Sequence, residues 1–420
     1  MGRLAGSRRV RIQSDWQPIC RMVVWPVPRL EWQTPRPKCL LRSHTSRGLV
    51  CVHRYGQNPP KRMSNSSLDY RIQGMQHIGV ATSDMDHSLK FFRRLFGMDI
   101  PFFDSIQEAP LMDSHTRGKT ITKRASMVMN LQGGCAFEVL RADSFEPVPA
   151  GWEIAPGDLG ITAVQMKTRD IQKMHAHALS IAGDACDKTL GKTPWGAATF
   201  YLKDPDGNRF QVLEADDWFE NNGHPSGGVM GCTIGVSDMD AALKLYADVL
   251  GFDQILHDAT GTQADWDGMP HASESFRRIR LTQSAPGSGG FGKLTGRTYI
   301  ELVQAIDRKG AFIFKDRIWC DIGFAHLGFD VRGMADLGAA LDSKGFGFRC
   351  DTADAIGMGE TKVHCTYIDD PDECWLEMIE VYKVPIIEKW GLFLDVQKRG
   401  ADETLPRWML KALRFSRVKD

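Results

Sequence analysis

The sequence predicts an α+β fold made of four similar units, each a strand followed by a helix and several further strands. Three observations predict it: a helix pattern that occurs twice, a turn motif that occurs twice, and a composition typical of globular proteins. The chain has 420 residues, of which 42% are hydrophobic and 25% are charged. These are ordinary fractions for a globular protein, and at about 150 residues per domain the length indicates two or three domains.

The composition also excludes several classes of protein. No run approaches the roughly 18 apolar residues of a membrane span, so we expect no membrane partner. The 52 basic and 52 acidic side chains cancel, which argues against a nucleic-acid partner. The ten cysteines are scattered without a CxxC pair. This pattern argues against a zinc ribbon or a disulfide scaffold and favours reduced thiols in a cytoplasmic protein.

The first 62 residues differ from the rest of the chain. They contain 13 Lys or Arg against Asp15 and Glu31, a net charge of +11, together with seven prolines. Three interpretations remain open: an extension outside the functional chain, which would then begin near Met63, a disordered basic arm, or a targeting segment. We favour the first, because the prolines oppose the amphipathic helix that a mitochondrial targeting segment needs.

The helix pattern repeats at a constant offset. Ser-Asp-Met-Asp at 83–86 recurs at 237–240, which is 154 residues later. Fourteen residues after each serine stands a glycine, Gly97 or Gly251. The apolar residues between have helical spacing, and glycine commonly ends a helix. The constant offset indicates a duplication.

The turn motif marks the last hairpin of two units. Asp-Pro-Asp-Gly-Asn at 204–208 and Asp-Pro-Asp-Glu-Cys at 370–374 are each followed by a strand-like run. Proline presets φ for a turn and glycine takes a left-handed position, so the motif predicts a hairpin. Glu373 replaces the glycine in the second copy, and we therefore expect that turn to differ.

These patterns together predict four units, near 73–142, 157–216, 228–306 and 322–383. We expect a first pair of units over 73–216, a second pair over 228–383, and a helical tail over 384–420.

A repeated βαβββ unit with a Leu-Gly-Phe-like helix end and an Asp-Pro-Asp-Gly-Asn-x-Phe turn resembles the vicinal oxygen chelate superfamily. That superfamily includes glyoxalase I, methylmalonyl-CoA epimerase, extradiol dioxygenases and the bleomycin-resistance proteins. The resemblance covers about residues 73–383. It implies that the units, or modules, pair into two half-barrels, and that each module offers one metal-ligand position on its first strand and one on its last.

The resemblance implies complete ligand pairs in the first and fourth modules only. The first module has His77 and Glu138 at these positions, and the fourth has His326 and Glu377. The second and third modules lack a histidine there, and their residues are Ile161, Thr162 or Ala163 with Gln211, and Gly231 or Cys232 with Glu301.

Two pairings of the modules stay open. If the first pairs with the fourth, which we favour, the site is His77, Glu138, His326 and Glu377, similar to the two-His, two-Glu set of the glyoxalase I branch. If neighbouring modules pair, one half offers His77, Glu138 and Gln211, and the other offers Glu301, His326 and Glu377. Either set implies one divalent ion (Ni, Co, Zn, Mn or Fe).

The implied activity is that of a lyase or isomerase acting on a small oxygenated substrate. The ion would stabilise an enediolate while Glu377 or Glu138 serves as general base. The first alternative is an Fe(II) extradiol dioxygenase, for which Tyr367 occupies the position of a substrate-binding strand tyrosine, although Met358 stands where a loop histidine is expected. The second is a non-catalytic binding protein whose ligand stacks on Trp195, Trp375 or Phe210. A monomer and a homodimer both stay open.

Overall fold

The computed structural model describes residues 70–285, 287–353, 356–358, 361–387 and 392–418. The expectations for residues 1–62 lie outside these ranges. Within them, each module begins with a strand and a helix and continues with further strands, as the sequence predicts for an α+β fold.

The first module contains β1 (Arg71–Ala81), α1 (Met85–Phe96), β2 (Ile100–Glu108), β3 (Thr122–Met129) and β4 (Ala136–Ala142). The second contains β5 (Gly160–Thr168), α2 (Ile171–Ala182), β6 (Gly191–Lys192), β7 (Ala198–Lys203) and β8 (Arg209–Glu214).

The third module contains β9 (Ser226–Gly235), α3 (Met239–Tyr246), β10 (Gln254–Gly261), β11 (Phe276–Thr282), the single-turn helix α4 (Gly292–Thr295) and β12 (Tyr299–Ala305). The fourth contains β13 (Gly323–Arg332), α5 (Met334–Lys344), β14 (Cys350–Asp351), β15 (Ile356–Met358), β16 (Thr361–Asp369) and β17 (Trp375–Ile387). The tail, which the sequence predicts to be helical, begins with the end of β17 and with β18 (Leu392–Asp395), before α6 (Arg407–Ala412).

The strands form two curled mixed sheets, and each sheet takes its modules from both halves of the sequence. Sheet 1 has the order β14-β16-β17-β13-β1-β4-β3-β2, with β15 on β16 and β18 on β17. Sheet 2 has the order β10-β11-β12-β9-β5-β8-β7-β6. The first module therefore pairs with the fourth, and the second with the third. The ranges 73–216 and 228–383 each contribute one module to each sheet.

Both copies of the helix pattern have the predicted N-terminal cap, but only the first ends at its predicted glycine, because α3 ends at Tyr246 with Ala247 as its C-cap rather than at Gly251. Asp84 caps the N-terminus of α1 by accepting a hydrogen bond from the backbone N–H of His87, and Gly97 ends the helix with a φ of 64°. Asp238 caps α3 in the same way, through the N–H groups of Asp240 and Ala241. Aspartate satisfies N–H groups that have no partner inside the helix, which explains the repeated motif.

The two Asp-Pro-Asp turns are alike, contrary to our expectation for the second copy. Glu373 takes a left-handed φ of 65°, while Gly207 in the first copy has a φ of 87°. Asp204 and Asp370 each accept hydrogen bonds from the N–H groups two and four residues later. These bonds hold the same turn and impose the left-handed conformation on a glutamate.

The apolar core lies on one face of the strands, which leaves the other face for the site. On β4, Phe137 and Val139 are buried in the core that α1 also enters through Phe92, whose ring centroid is 5.0 Å from that of Phe137. Side chains alternate along a strand, so Glu138 points to the opposite, concave face of sheet 1. Among the described residues, no helix is long and apolar enough to cross a membrane.

Candidate metal centre

The two predicted histidines meet at the centre of sheet 1. In the antiparallel pair β1–β13, His77 is opposite Gly328 and Gly79 is opposite His326. The Nε2 atoms of the two rings are 2.9 Å apart, and both side chains are fully buried. The arrangement has an approximate two-fold relation, because each strand contributes the sequence His-x-Gly.

Each histidine ring occupies the space above the glycine of the opposite strand. A Cβ atom built on Gly328 would lie 2.4 Å from Cε1 of His77, and one on Gly79 would lie 2.4 Å from Cε1 of His326. No ordinary carbon contact is this short. The two glycines are therefore required for the rings to face each other.

The two predicted glutamates join the histidines from the neighbouring parallel strands. Glu138 on β4 is beside Gly79, and Glu377 on β17 is beside Gly328. Oε2 of Glu138 lies 3.1 Å from Nε2 of His326, and Oε2 of Glu377 lies 3.1 Å from Nε2 of His77. The diagonal distances, to the other histidine, are 3.6 Å and 3.4 Å.

The donor set fits a divalent first-row ion. One ligand atom from each of the four residues lies within 4.8 Å of all the others, and all four side chains are buried. Ligands about 2.1 Å from a common ion are separated by about 3.0–3.4 Å when they are adjacent. In addition, Oε2 of Glu377 and Nδ1 of His326 are buried without a hydrogen-bond partner among the described residues. A carboxylate oxygen in that state is available to bind a metal cation.

The electrostatics of the cluster favour anionic glutamate beside cationic neighbours. Burial acts to raise the pKa of Glu138, but Lys123 and the two histidines hold it well below its usual range. Burial acts to lower the pKa of His77, but the carboxylates of Glu377 and Glu138 outweigh it and raise this pKa. Two carboxylates thus face two imidazoles, with Nζ of Lys123 3.6 Å from Oε1 of Glu138.

A chain of hydrogen bonds orients one of the two rings. Nδ1 of His77 is 3.0 Å from Oε1 of Gln76, and the amide of Gln76 donates to Asp330 at 2.5 Å. Bonding of Nδ1 to a neighbour leaves Nε2 to face the cluster, as in many metal-binding histidines.

The surroundings of the cluster include residues that sequence reasoning missed. Lys123 lies on β3, with its Nζ 5.0 Å from the ring centroid of Trp319. The Trp319 ring in turn stacks on His326 at a centroid distance of 6.3 Å. Lys123 lies on the same face of β3 as Ala125 and Met127. A lysine among small and apolar residues on the inward face of a strand could have been recognised from the sequence as a candidate site residue. Trp319 belongs to the connection before β13, and its position follows no local pattern.

The other residues singled out from the sequence take different places. Tyr367 on β16 is opposite Glu377, and its ring centroid is 5.5 Å from that of His326, so it lies beside the cluster. His364, a histidine of the same strand, lies outside the cluster and pairs with Asp351 at 2.6 Å. Phe210 is fully buried in the apolar core between aromatic rings, so the expectation that a ligand stacks on it is wrong.

Sheet 2 has the same framework without the histidines. Its register places Ala163 where sheet 1 has His77, Gly231 where it has His326, and Gln165 where it has Gly79. The amide of Gln165 donates to Gln211 at 3.2 Å and to Glu301 at 3.0 Å, which are the counterparts of the two glutamates. The space of a histidine ring is thus taken by a glutamine amide.

The remaining acid of sheet 2 is neutralised by an arginine. Nε of Arg278 donates to Oε1 of Glu301 at 2.6 Å, and its Nη1 bonds Asp265 at 2.7 Å. All three side chains are fully buried. Glu301 therefore has its cation within the chain, whereas the glutamates of sheet 1 do not share an arginine.

One part of the chain matches a known protein family, and several solved structures are similar to the chain. The family model for the Glyoxalase/Bleomycin resistance protein/Dioxygenase superfamily matches residues 74–212. No curated protein matches the chain. Solved structures similar to it include a mutant of glyoxalase I from Zea mays, with 15% identity, a TM-score of 0.46, and coverage of 74% of this chain and 94% of that one.

Two further similar structures have other names. A putative dioxygenase from Bacillus subtilis has 13% identity and a TM-score of 0.47, with 74% of this chain and 86% of that one covered. A mutant of 4-hydroxymandelate synthase from Streptomyces coelicolor has 11% identity and a TM-score of 0.26, with 74% and 93% covered. The family match covers the strand with His77 and the strand with Glu138. The resemblance seen in the sequence is therefore confirmed over residues 74–212, which match the glyoxalase/bleomycin resistance protein/dioxygenase superfamily, the vicinal oxygen chelate superfamily.

Proposed function

We propose that the chain is a divalent-metal-dependent enzyme that transfers a proton at a carbon of a small substrate bearing two adjacent oxygen atoms. The observation that carries this proposal is the convergence of two imidazoles and two carboxylates within 4.8 Å on the concave face of sheet 1. When bound, Ni, Co, Zn, Mn or Fe would supply Lewis-acid polarisation of the two substrate oxygens, as in glyoxalase- and epimerase-type reactions.

The two glutamates differ in their ion-pair partners, and this difference indicates which of them acts as the general base. Glu138 is fixed by Lys123 at 3.6 Å, and its pKa is held low. Glu377 has no lysine or arginine within ion-pairing distance among the described residues, and its Oε2 faces the two histidines of the cluster. A carboxylate that moves from ligand to proton acceptor must be free of other attachments. We therefore assign the general base to Glu377 and a permanent anionic role to Glu138.

Two neighbouring polar groups suit the binding of substrate oxygens. Lys123 is a cation whose side chain is nearly buried, so its charge acts in a medium where electrostatic interactions are strong. Tyr367 presents a hydroxyl group that no described residue bonds. Both lie on strands next to those of the glutamates. They can donate hydrogen bonds to an oxygen on which negative charge develops as the proton leaves carbon.

The first experiment measures metal content by elemental analysis on the full chain, after reconstitution with each of the five metals. About one ion per chain is expected in the wild type, with loss in both His77→Ala and His326→Ala. His364→Ala is the matched control, because that histidine lies on the same sheet but pairs with Asp351. No ion in a folded wild type would overturn the metal-dependent function and leave a binding protein.

The second experiment addresses the reaction. Exchange of substrate hydrogen with deuterated solvent is followed by NMR for a panel of α-hydroxy and α-keto carbonyl compounds. Glu377→Gln should retain the ion and lose exchange, whereas Glu138→Gln should lose the ion. Oxygen consumption with catechols, together with no exchange, would replace this proposal by ring-cleaving dioxygenase chemistry.

A further inference from the structure

Sheet 2 contains a buried guanidinium group that has no counterion among the described residues. Arg280 on β11 has a relative exposure of 6%. It makes no hydrogen bond or ion pair with any described residue, and its Nη1 is buried without a partner. Arginine stays charged at all ordinary pH values, so it cannot escape the cost of burial by losing its proton. Burial lowers the pKa of Arg280, which reflects that cost.

The acids near Arg280 are already used by the next arginine on the same face of the strand. Glu301 acts electrostatically on Arg280, but its Oε1 accepts a hydrogen bond from Nε of Arg278 at 2.6 Å. Asp265 is bonded by Nη1 of Arg278 at 2.7 Å. Arg278 also has one nitrogen to spare, because its Nη2 is buried without a partner. Both nearby carboxylates are therefore bound to Arg278, and neither is bound to Arg280.

Aromatic rings cover the faces of these guanidinium groups. The Cζ atom of Arg280 lies 4.6 Å from the ring centroid of Trp195 and 4.3 Å from that of Tyr299. Trp195 also lies 5.0 Å from Cζ of Arg278. Such cation–π contacts compensate part of the lost hydration and fix the plane of the group. The N–H donors lie at the edge of each guanidinium plane, so a hydrogen-bond acceptor would approach along that edge.

We propose that the concave face of sheet 2 binds a small organic oxyanion, a carboxylate or a phosphate ester, through Arg280 and Arg278 beside Trp195. A planar fork of N–H donors matches the oxygen atoms of both groups, and a buried charge is normally compensated by an opposite one. This site is separate from the metal centre, since it takes its residues from the second and third modules only. It is independent of the proposed reaction.

The test uses isothermal titration calorimetry and thermal unfolding of the full chain, with sodium acetate and sodium phosphate as probes. Sodium chloride at matched ionic strength is the reference. We expect at least one probe to bind saturably and to raise the Tm by about 2–5 °C above chloride. Tighter binding of acetate identifies an organic acid, and tighter binding of phosphate identifies a phosphate ester. Either result supports the proposal.

Variants locate the binding. Arg280→Met should weaken the probe at least about tenfold, because it removes charge-assisted hydrogen bonds. Without probe it should unfold at or above the wild-type Tm, since a buried unpaired charge is lost. Arg277→Met is the matched control, because its guanidinium lies on the other face of the strand and pairs with Asp258. His326→Ala should also bind like the wild type.

Three outcomes would overturn the proposal: no binding beyond chloride, equal binding by Arg280→Met and the wild type, or loss of binding in His326→Ala with retention in Arg280→Met. The last would assign the anion to the metal centre. If Arg280→Met does not fold, Arg280→Gln provides the same comparison with a polar side chain.

Discussion

The glycines opposite the two histidines offer a direct test of how the metal centre is built. In Gly328→Ala, the new Cβ would lie 2.4 Å from Cε1 and 2.6 Å from Nδ1 of His77. Ordinary carbon contacts begin near 3.4 Å, so the ring must move by about 1 Å. Ligand distances in metal sites vary by only about 0.2 Å, so this movement removes His77 from the donor set.

We expect a large loss of metal affinity with little loss of fold. Disturbing a residue that only supports a ligand costs about 10–100-fold in affinity, so displacing the ligand itself should cost at least about 100-fold, or about 2.7 kcal/mol. The backbone at Gly328 is not left-handed, so alanine introduces no conformational strain there. Gly79→Ala should have the same effect through His326, because a Cβ there would also lie 2.4 Å from that ring.

The assay is competition with a chromogenic chelator, together with elemental analysis and circular dichroism of each variant. Gly151→Ala is the matched control, since a Cβ at that position meets nothing within 4 Å. Affinity of Gly328→Ala within threefold of the wild type, in a folded protein, would refute the reasoning. It would mean that His77 reaches the ion by another path or is not a ligand.

Three further predictions concern single side chains. Glu373→Gly should raise the free energy of unfolding, measured by urea denaturation, by about 0.5–1 kcal/mol, because it removes a glutamate with a left-handed backbone. A lower free energy of unfolding would show that the glutamate side chain stabilises the fold by more than its backbone strain costs. Lys123→Met should weaken metal binding about 10-fold or more in chelator competition, because Glu138 loses the lysine cation that lies 3.6 Å from it. Unchanged metal affinity would show that Lys123 does not stabilise Glu138 as a ligand. Arg278→Met leaves two buried carboxylates without a cation and should cost about 3–5 kcal/mol of unfolding free energy. The partly exposed Arg277→Met should cost under about 1 kcal/mol, and similar losses in the two variants would contradict the assigned network.

The fold could be predicted to the level of modules, because local chemistry is repeated in the sequence. Asp84 and Asp238 are capping residues whose function depends only on the next three residues, and so is visible in the sequence. The pairing of modules could not be decided, because it depends on which first strands meet. The contact of β1 with β13 joins residues about 250 positions apart, and no local pattern records it.

The four residues of the candidate metal centre could be named from the sequence because the implied ligand positions repeat with the modules. Whether the four would converge depended on how the modules pair. The His-x-Gly sequences at 77–79 and 326–328 contain additional information on the pairing. A glycine two residues after a ligand histidine has no evident purpose in a single strand. It acquires one only when an antiparallel partner with the same sequence places its own ring above that glycine.

The lack of histidines at the implied ligand positions of sheet 2 could also be seen in the sequence, but the groups that pair with its buried carboxylate could not. From the sequence, Gln211 and Glu301 are only remnants of ligand positions. The structure shows that Gln165, at the position of a glycine in sheet 1, bridges them, and that Arg278 bonds Glu301. A buried carboxylate needs a positive charge whether an ion or a side chain supplies it. With the proposed ion in sheet 1, one scaffold would have two solutions to the same electrostatic requirement. The side-chain solution brings a second arginine, Arg280, which lacks a partner within the described chain and so creates a requirement for an anion.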